Sequence, residues 1–338
     1  MSYITPSQVN KRFIWLDSLK GVLITLVVIA HAIANVIGND AANINYWWCL
    51  IYSFHMPAFM AVSGYLTYRQ NVAGQINVLS SVSRRFQQLL VPFLVWSGVY
   101  FAIRESIASY ISCILMPNTT FWFLWALFFI SVLFVSFQYI SNRVKINIDY
   151  VLVAACVVFA AVLVVFKDIH YLGIQYILYY FLFYVMGYFI HKRNITSDKV
   201  AVMILLFAFW FLLASFWRPN ALPDFIPLTG SAANMLRFIY KFLVAAVAVV
   251  FLFSFSPIVL NGDNKFNRVL VWLGKYSLGI YVIHLTFIKL ISNLVAHFVV
   301  GENAQIWVLS ILLLLISAAL IWLLNKNKWT ARLLLGKF

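Results

Sequence analysis

Residues 15–31 read WLDSLKGVLITLVVIAH, one apolar run that carries Asp17 and Lys20 at its start and His31 deep inside. A helix turns about 100° per residue, so eleven residues return to within roughly 20° of the starting direction. Lys20 and His31 therefore share a face, and Asp17, three residues before Lys20, lies close to it. At about 1.5 Å of rise per residue, His31 sits roughly 16 Å beyond Lys20, near the centre of a hydrocarbon layer about 30 Å thick. Such polar side chains are costly in lipid and face a bundle interior or a wet cavity. His31 is thus the first candidate for chemistry.

The rest of the composition agrees with a membrane setting. Of 338 residues, 64% are hydrophobic and 10% charged, which places the chain among all-α polytopic membrane proteins rather than soluble domains. The first apolar stretch is followed by a polar loop without a small-residue cleavage site, so it is expected to stay as a span and not leave as a secretory signal. The net charge of +15 falls mainly in short loops on alternate sides of the apolar segments. That distribution points to membrane topology, not to nucleic acid, and a basic inner face also suits anionic lipid or an anionic cofactor. Cys49, Cys113 and Cys156 have no metal-binding spacing. Free packed thiols are the default, with a Cys49–Cys113 disulfide as the alternative.

Ten apolar segments are expected as transmembrane helices, near 20–38, 47–67, 86–103, 121–140, 150–166, 172–190, 200–217, 235–256, 276–299 and 306–325. With the N-terminus inside, the inner segments hold Lys11, Arg12, Lys20, Arg69, Arg84, Arg85, Arg143, Lys145, Lys192, Arg193, Lys199, Lys265, Arg268, Lys275, Lys326, Lys328, Arg332 and Lys337. The outer segments hold Arg104, Lys167 and Arg218, so both termini are expected in the cytosol. No repeat of fixed period divides the chain, and residues 1–338 read as a single membrane-embedded domain.

Two further histidines lie at similar depth. His55 belongs to SFHMPAFMAVSGYL (residues 53–66), where Pro57 breaks the backbone ladder and Ser63 and Gly64 permit a close helix approach. Taken alone, His55 reads as a hydrogen-bonded structural residue. His284 closes LGKYSLGIYVIH (residues 273–284), nine residues after Lys275. Zinc would suit three imidazoles, but there is no HxxxH pair or nearby carboxylate, so no metal is expected. A proton-coupled transporter is disfavoured because the acidic residues fall in loops or at helix ends. Acyl transfer fits better: attack of a hydroxyl on a thioester needs a base and an oxyanion stabiliser, and neutral histidine suits the first task. A coenzyme A donor would be held through its phosphates by Lys20, Arg69, Arg84, Arg85 and Lys275 on the inner side, although each of these charges also has an ordinary topological explanation. Arg237 and Lys241, four residues apart on one helix face, either snorkel to the outer headgroups or contact a sugar or anionic carrier lipid. Two longer outer connections offer an acceptor site, one containing Arg104 and Glu105 and the other running from 218 to 234 with three prolines and Asp224.

These residues also carry a family resemblance. The pairing of Lys20 and His31 across ten intervening residues, RRFQQLLVPFLVW (84–96), FHMPAFMAVSGY (54–65) and LGKYSLGIYVIH (273–284) resemble, in order and spacing, the acyltransferase-3 family of integral membrane acyltransferases, in its compact fucose 4-O-acetylase-like branch. The resemblance implies transfer of an acyl group, most often acetyl from acetyl-CoA, to a cell-surface or lipid-linked glycan by a multi-pass protein of the bacterial inner membrane. It also implies that His31 is essential and Lys20 required. Lysine stands where the family more often has arginine, and RQNV (69–72) lacks the RxxR of some members. The expected catalytic set is His31, His55, His284 and Asp17. Lys20, Arg69, Arg84, Arg85 and Lys275 are expected at the donor, and Arg237, Lys241 and Asp224 at the acceptor. The partners expected are the bilayer and the glycan acceptor, with room for a homo-oligomer. Succinyl transfer, a polysaccharide exporter or flippase, and a scaffold subunit remain the rival readings.

Overall fold

The computed structural model describes residues 13–72, 78–104, 110, 121–166, 171–219 and 221–337. Among them, nine helical stretches are long and apolar enough to cross a membrane. They match nine of the ten expected segments. The remaining segment forms a helix of 16 residues, Val200–Ser215. Its length of about 24 Å falls short of a typical hydrocarbon layer. It ends where Phe216 and Trp217 turn back onto the carbonyls of Leu213 and Ala214. Pro219 then disfavours helical geometry at Arg218.

The elements are α1 (Ile14–Ile37), α2 (Tyr46–Tyr52), α3 (His55–Val72), α4 (Val78–Arg85), α5 (Val91–Arg104), α6 (Trp122–Val144), α7 (Ile148–Val165), α8 (Ile174–Arg193), α9 (Val200–Ser215), α10 (Gly230–Val259), α11 (Lys265–Lys275), α12 (Ser277–Phe298), α13 (Glu302–Leu324) and α14 (Lys328–Leu335). Three of them change the expected outline. α10 runs for 30 residues and absorbs the end of the 218–234 connection. The basic stretch after it, expected as a loop, contains the amphipathic helix α11, and α14 adds a second amphipathic helix near the C-terminus.

Two compact units are present. The first comprises residues 63–188 and 320–338. Within it Gly64 meets α8 so closely that a Cβ would run into the carbonyl oxygen of Tyr184. The Thr67 and Tyr184 hydroxyls hydrogen-bond at 2.6 Å beside that contact, which confirms the close approach expected at Ser63–Gly64. Phe134 is fully buried against Tyr184 and Tyr188. Between α4 and α5 the chain widens into a π-helical turn, Phe86–Leu90. Pro92 has no N–H to offer the Gln88 carbonyl, which accounts for the irregular ladder there. Gly336, at the end of α14, packs against that same carbonyl, and Trp96 Nε1 donates to the Leu334 carbonyl at 2.8 Å.

The second unit comprises residues 10–62 and 189–319. Here α1 is the central helix, with Leu19, Leu23, Ile24, Val27 and Val28 buried. Its partner at one end is α11, which it meets through two glycines. A Cβ on Gly21 would strike the Leu270 carbonyl oxygen, and a Cβ on Gly274 would strike that of Asp17. Backbones at this separation exchange many small dispersion contacts and leave no room for a side chain. Trp15 packs edge-on to Phe253 of α10, and Phe54 edge-on to Trp210 of α9.

Candidate active site

α1 is helical without interruption from Ile14 to Ile37, so the eleven-residue offset between Lys20 and His31 becomes a rise of about 16 Å along one axis. The second expected span is not continuous. Its helix pauses at Ser53–Phe54 and resumes at His55, four residues after Ile51 and two before Pro57. Pro57 cannot donate to the Ser53 carbonyl, so the break falls in the turn before the proline, and His55 opens the new helix. α12 carries His284 seven residues from its start, about 10 Å in.

These three elements bring the three histidines together. The rings of His31 and His284 lie 5.3 Å apart between centroids, inclined at 50°. Tyr52 sits edge-on to His31 at 6.4 Å and to His55 at 4.8 Å, so it links the two. Trp48, one turn earlier on α2, stacks on Tyr52 at 3.6 Å. His55 and His284 are buried, at 2% and 0% exposure, whereas His31 is partly open. His31 is therefore the accessible member of the group.

The two buried rings are held alike. His55 Nδ1 donates to the Ile51 carbonyl at 2.7 Å, and His284 Nδ1 donates to the Ile280 carbonyl at 2.8 Å. A carbonyl oxygen only accepts, so each Nδ1 carries the hydrogen, and in the neutral ring Nε2 is the acceptor. His284 Nε2 is buried with no hydrogen-bond partner among the described residues. An acceptor left bare in a dry interior costs about 1–3 kcal/mol.

The opposite end of α1 is organised by charge. Lys20 Nζ lies 2.7 Å from Asp17 Oδ1, with side chains 23% and 7% exposed. The Asp17 carbonyl is the group Gly274 packs against, so Lys275 follows directly at the same end of the unit. Asp17 precedes His31 by fourteen residues, roughly 21 Å along α1, and keeps company with Lys20 rather than with the histidines. Arg84 is exposed and Arg85 half-buried at the end of α4, in the other unit. Arg69 lies on α3, its side chain outside the described residues.

Of the residues expected at the acceptor, Arg237 and Lys241 lie on one face of α10, Lys241 Nζ 5.8 Å from the centre of the Trp217 ring. Asp224 is exposed in the 218–229 connection. Glu105 and Cys113 lie outside the described residues, as does the Arg104 side chain. Cys49 Sγ donates to the Asn43 carbonyl at 3.2 Å. Sequence reasoning missed Tyr52. Its signal was its place three residues before His55, on the same side of a helical segment.

A family model described as an acyltransferase domain matches residues 13–326. The chain belongs to the acyltransferase-3 family. It is therefore an integral membrane acyltransferase. Two relatives are called nodulation protein NolL. The one from Sinorhizobium fredii is 26% identical over 355 aligned positions, covering 97% of this chain and 93% of that protein. The one from Mesorhizobium japonicum is 35% identical over 154, covering 42% of this chain and 40% of that protein's length. No solved structure matches the chain. The family match includes all three histidines, Lys20 and the Arg237–Lys241 face.

Proposed function

We propose that this acyltransferase moves an acyl group, acetyl in the first instance, from acyl-CoA at the cytosolic face to a hydroxyl of a cell-surface or lipid-linked glycan. The observation that carries the proposal is the histidine centre deep in the second unit, where one accessible imidazole, His31, meets two buried ones held by backbone carbonyls. In this reading both termini face the cytosol of a bacterial inner-membrane protein, and the chain acts as one catalytic domain.

His31 is the general base. It takes the proton of the acceptor hydroxyl as that oxygen attacks the thioester carbonyl, and a tetrahedral oxyanion forms. Collapse breaks the C–S bond, the coenzyme A sulfur leaves with the proton His31 received, and the glycan keeps the ester. His284 and His55 orient His31 and spread the charge it acquires. Asp17 sets the direction of Lys20 through their ion pair, and Lys20 with Lys275 holds donor phosphates. Arg69, Arg84 and Arg85, in the first unit, are the further candidates for donor phosphates, while Arg237, Lys241 and Asp224 serve the acceptor.

The test is the variant His31→Ala in cells whose own gene is deleted, read by mass spectrometry of surface glycans. Acylated glycan should disappear while membrane-inserted protein stays at the native level. Full acylation with His31→Ala would overturn the assignment.

A further inference from the structure

Three cations gather at the end of the second unit opposite the Asp17–Lys20 pair. Arg218 donates to the Trp217 carbonyl at 2.9 Å and lies beside Cys49 of α2 and Tyr240 of α10. Arg237 and Lys241 follow on α10, with Lys241 over the Trp217 ring. Tyr240, between them in sequence, ties α10 to α9 through a 2.6 Å bond to the Leu213 carbonyl. No carboxylate among the described residues pairs with any of the three, unlike Lys20 at the other end. Like charges held together at a partly buried site repel, and an anion bound among them offsets that cost.

A second observation points the same way. Trp217 is 6% exposed, and its Nε1 is a buried donor with no acceptor among the described residues; Arg237 Nε is another. A tryptophan donor normally finds an acceptor when buried. Simple snorkelling of cations towards headgroups accounts for charge near a membrane surface, but not for buried donors left without acceptors. The missing component has to be anionic and rich in acceptors.

We infer that Arg218, Arg237, Lys241 and Trp217 Nε1 form a phosphate site, and that the phosphate it takes is borne by a lipid. This rests on the proposed function for its purpose, because it places a phosphate close to the base. Arg218 lies beside Cys49, and Cys49 is one helical turn, about 4.5 Å of rise, from Tyr52, which touches His31. A saccharide joined to that phosphate therefore has its first rings beside His31.

The experiment uses the full chain in detergent and native mass spectrometry with three probes: polyprenyl phosphate, phosphatidylglycerol and uncharged polyprenol. Native protein should retain the phosphate-bearing lipids at least tenfold more than polyprenol. Retention of polyprenyl phosphate above phosphatidylglycerol identifies a carrier lipid as the source, and equal retention identifies the bilayer headgroup. The double variant R237Q/K241Q should lose the preference, and R237K/K241R, which keeps both charges and controls for folding, should preserve most of it. Equal retention of polyprenol by native protein, or undiminished phosphate retention by R237Q/K241Q, overturns the inference. H31A should bind phosphate as the native protein does, so failure here and failure of the histidine assignment are separate results.

Discussion

The two ends of α1 accommodate polar groups on an apolar helix by opposite means. At Asp17 and Lys20 charge is answered by charge at 2.7 Å, and the helix is clamped to α11 by contacts that only glycine permits. At His31 the neighbours are other imidazoles and a phenol, and His284 Nε2 has no hydrogen-bond partner among the described residues. The first end is satisfied and rigid, the condition for holding a ligand in place. The second keeps proton-accepting capacity in reserve at a cost to stability, which is the usual mark of a site built for a reaction rather than for folding.

Replacing His284 breaks this contrast most directly. His284→Phe fills a similar volume and removes the bare acceptor, so the thermal midpoint in detergent should hold or rise. Turnover should fall by about 10²-fold, the lower end of what positioned acid–base groups contribute, with the donor KM unchanged. A lower midpoint with normal turnover would make His284 a packing residue and erase the distinction between the two ends.

The clamp at the charged end has its own probe. Gly274→Ala forces a methyl group into the Asp17 carbonyl and should destabilise the protein by about 1–3 kcal/mol, measured as a lowered thermal midpoint. Gly98 on α5 is the control, since a Cβ there meets nothing within 4 Å. Gly98→Ala should be neutral or stabilising by about 0.5–1 kcal/mol. Equal effects at both positions would mean that the α1–α11 contact does not set the geometry of the Asp17–Lys20 pair.

Much of this was legible in the sequence because membranes make polarity expensive. His31, His55 and His284 stood out singly as imidazoles in apolar segments, and the structure groups them. The spacing KGVLITLVVIAH was enough to put Lys20 and His31 on one helix, since uninterrupted helix is what a span must be. What could not be read was lateral: which side chains of different helices touch. Tyr52 and Trp217 are unremarkable aromatics until α1, α9 and α10 are set beside them. The helix α11 was also hidden, because KFNRVLVWLGK reads as a basic loop until Gly274 is seen against α1. Asp17 was expected to act with the histidines, whereas the helix that connects them also holds them about 21 Å apart.

Lys20 gives the sharpest separation of roles. Lys20→Gln removes a charge-assisted contact to a donor phosphate together with the ion pair to Asp17. Such a contact is worth about 1.5–3 kcal/mol, so the donor KM should rise roughly tenfold or more while kcat stays near native. Lys20→Arg keeps the charge and should recover most of the affinity, although the guanidinium fork has a different reach. If Lys20→Gln instead lowers kcat with KM unchanged, the charged end takes part in the chemical step, and binding and reaction are not divided between the two ends of α1. The double variant Asp17→Asn with Lys20→Gln tests the same division. If Asp17 acts only by directing Lys20, the double variant should match Lys20→Gln alone, because the second substitution removes a partner already lost.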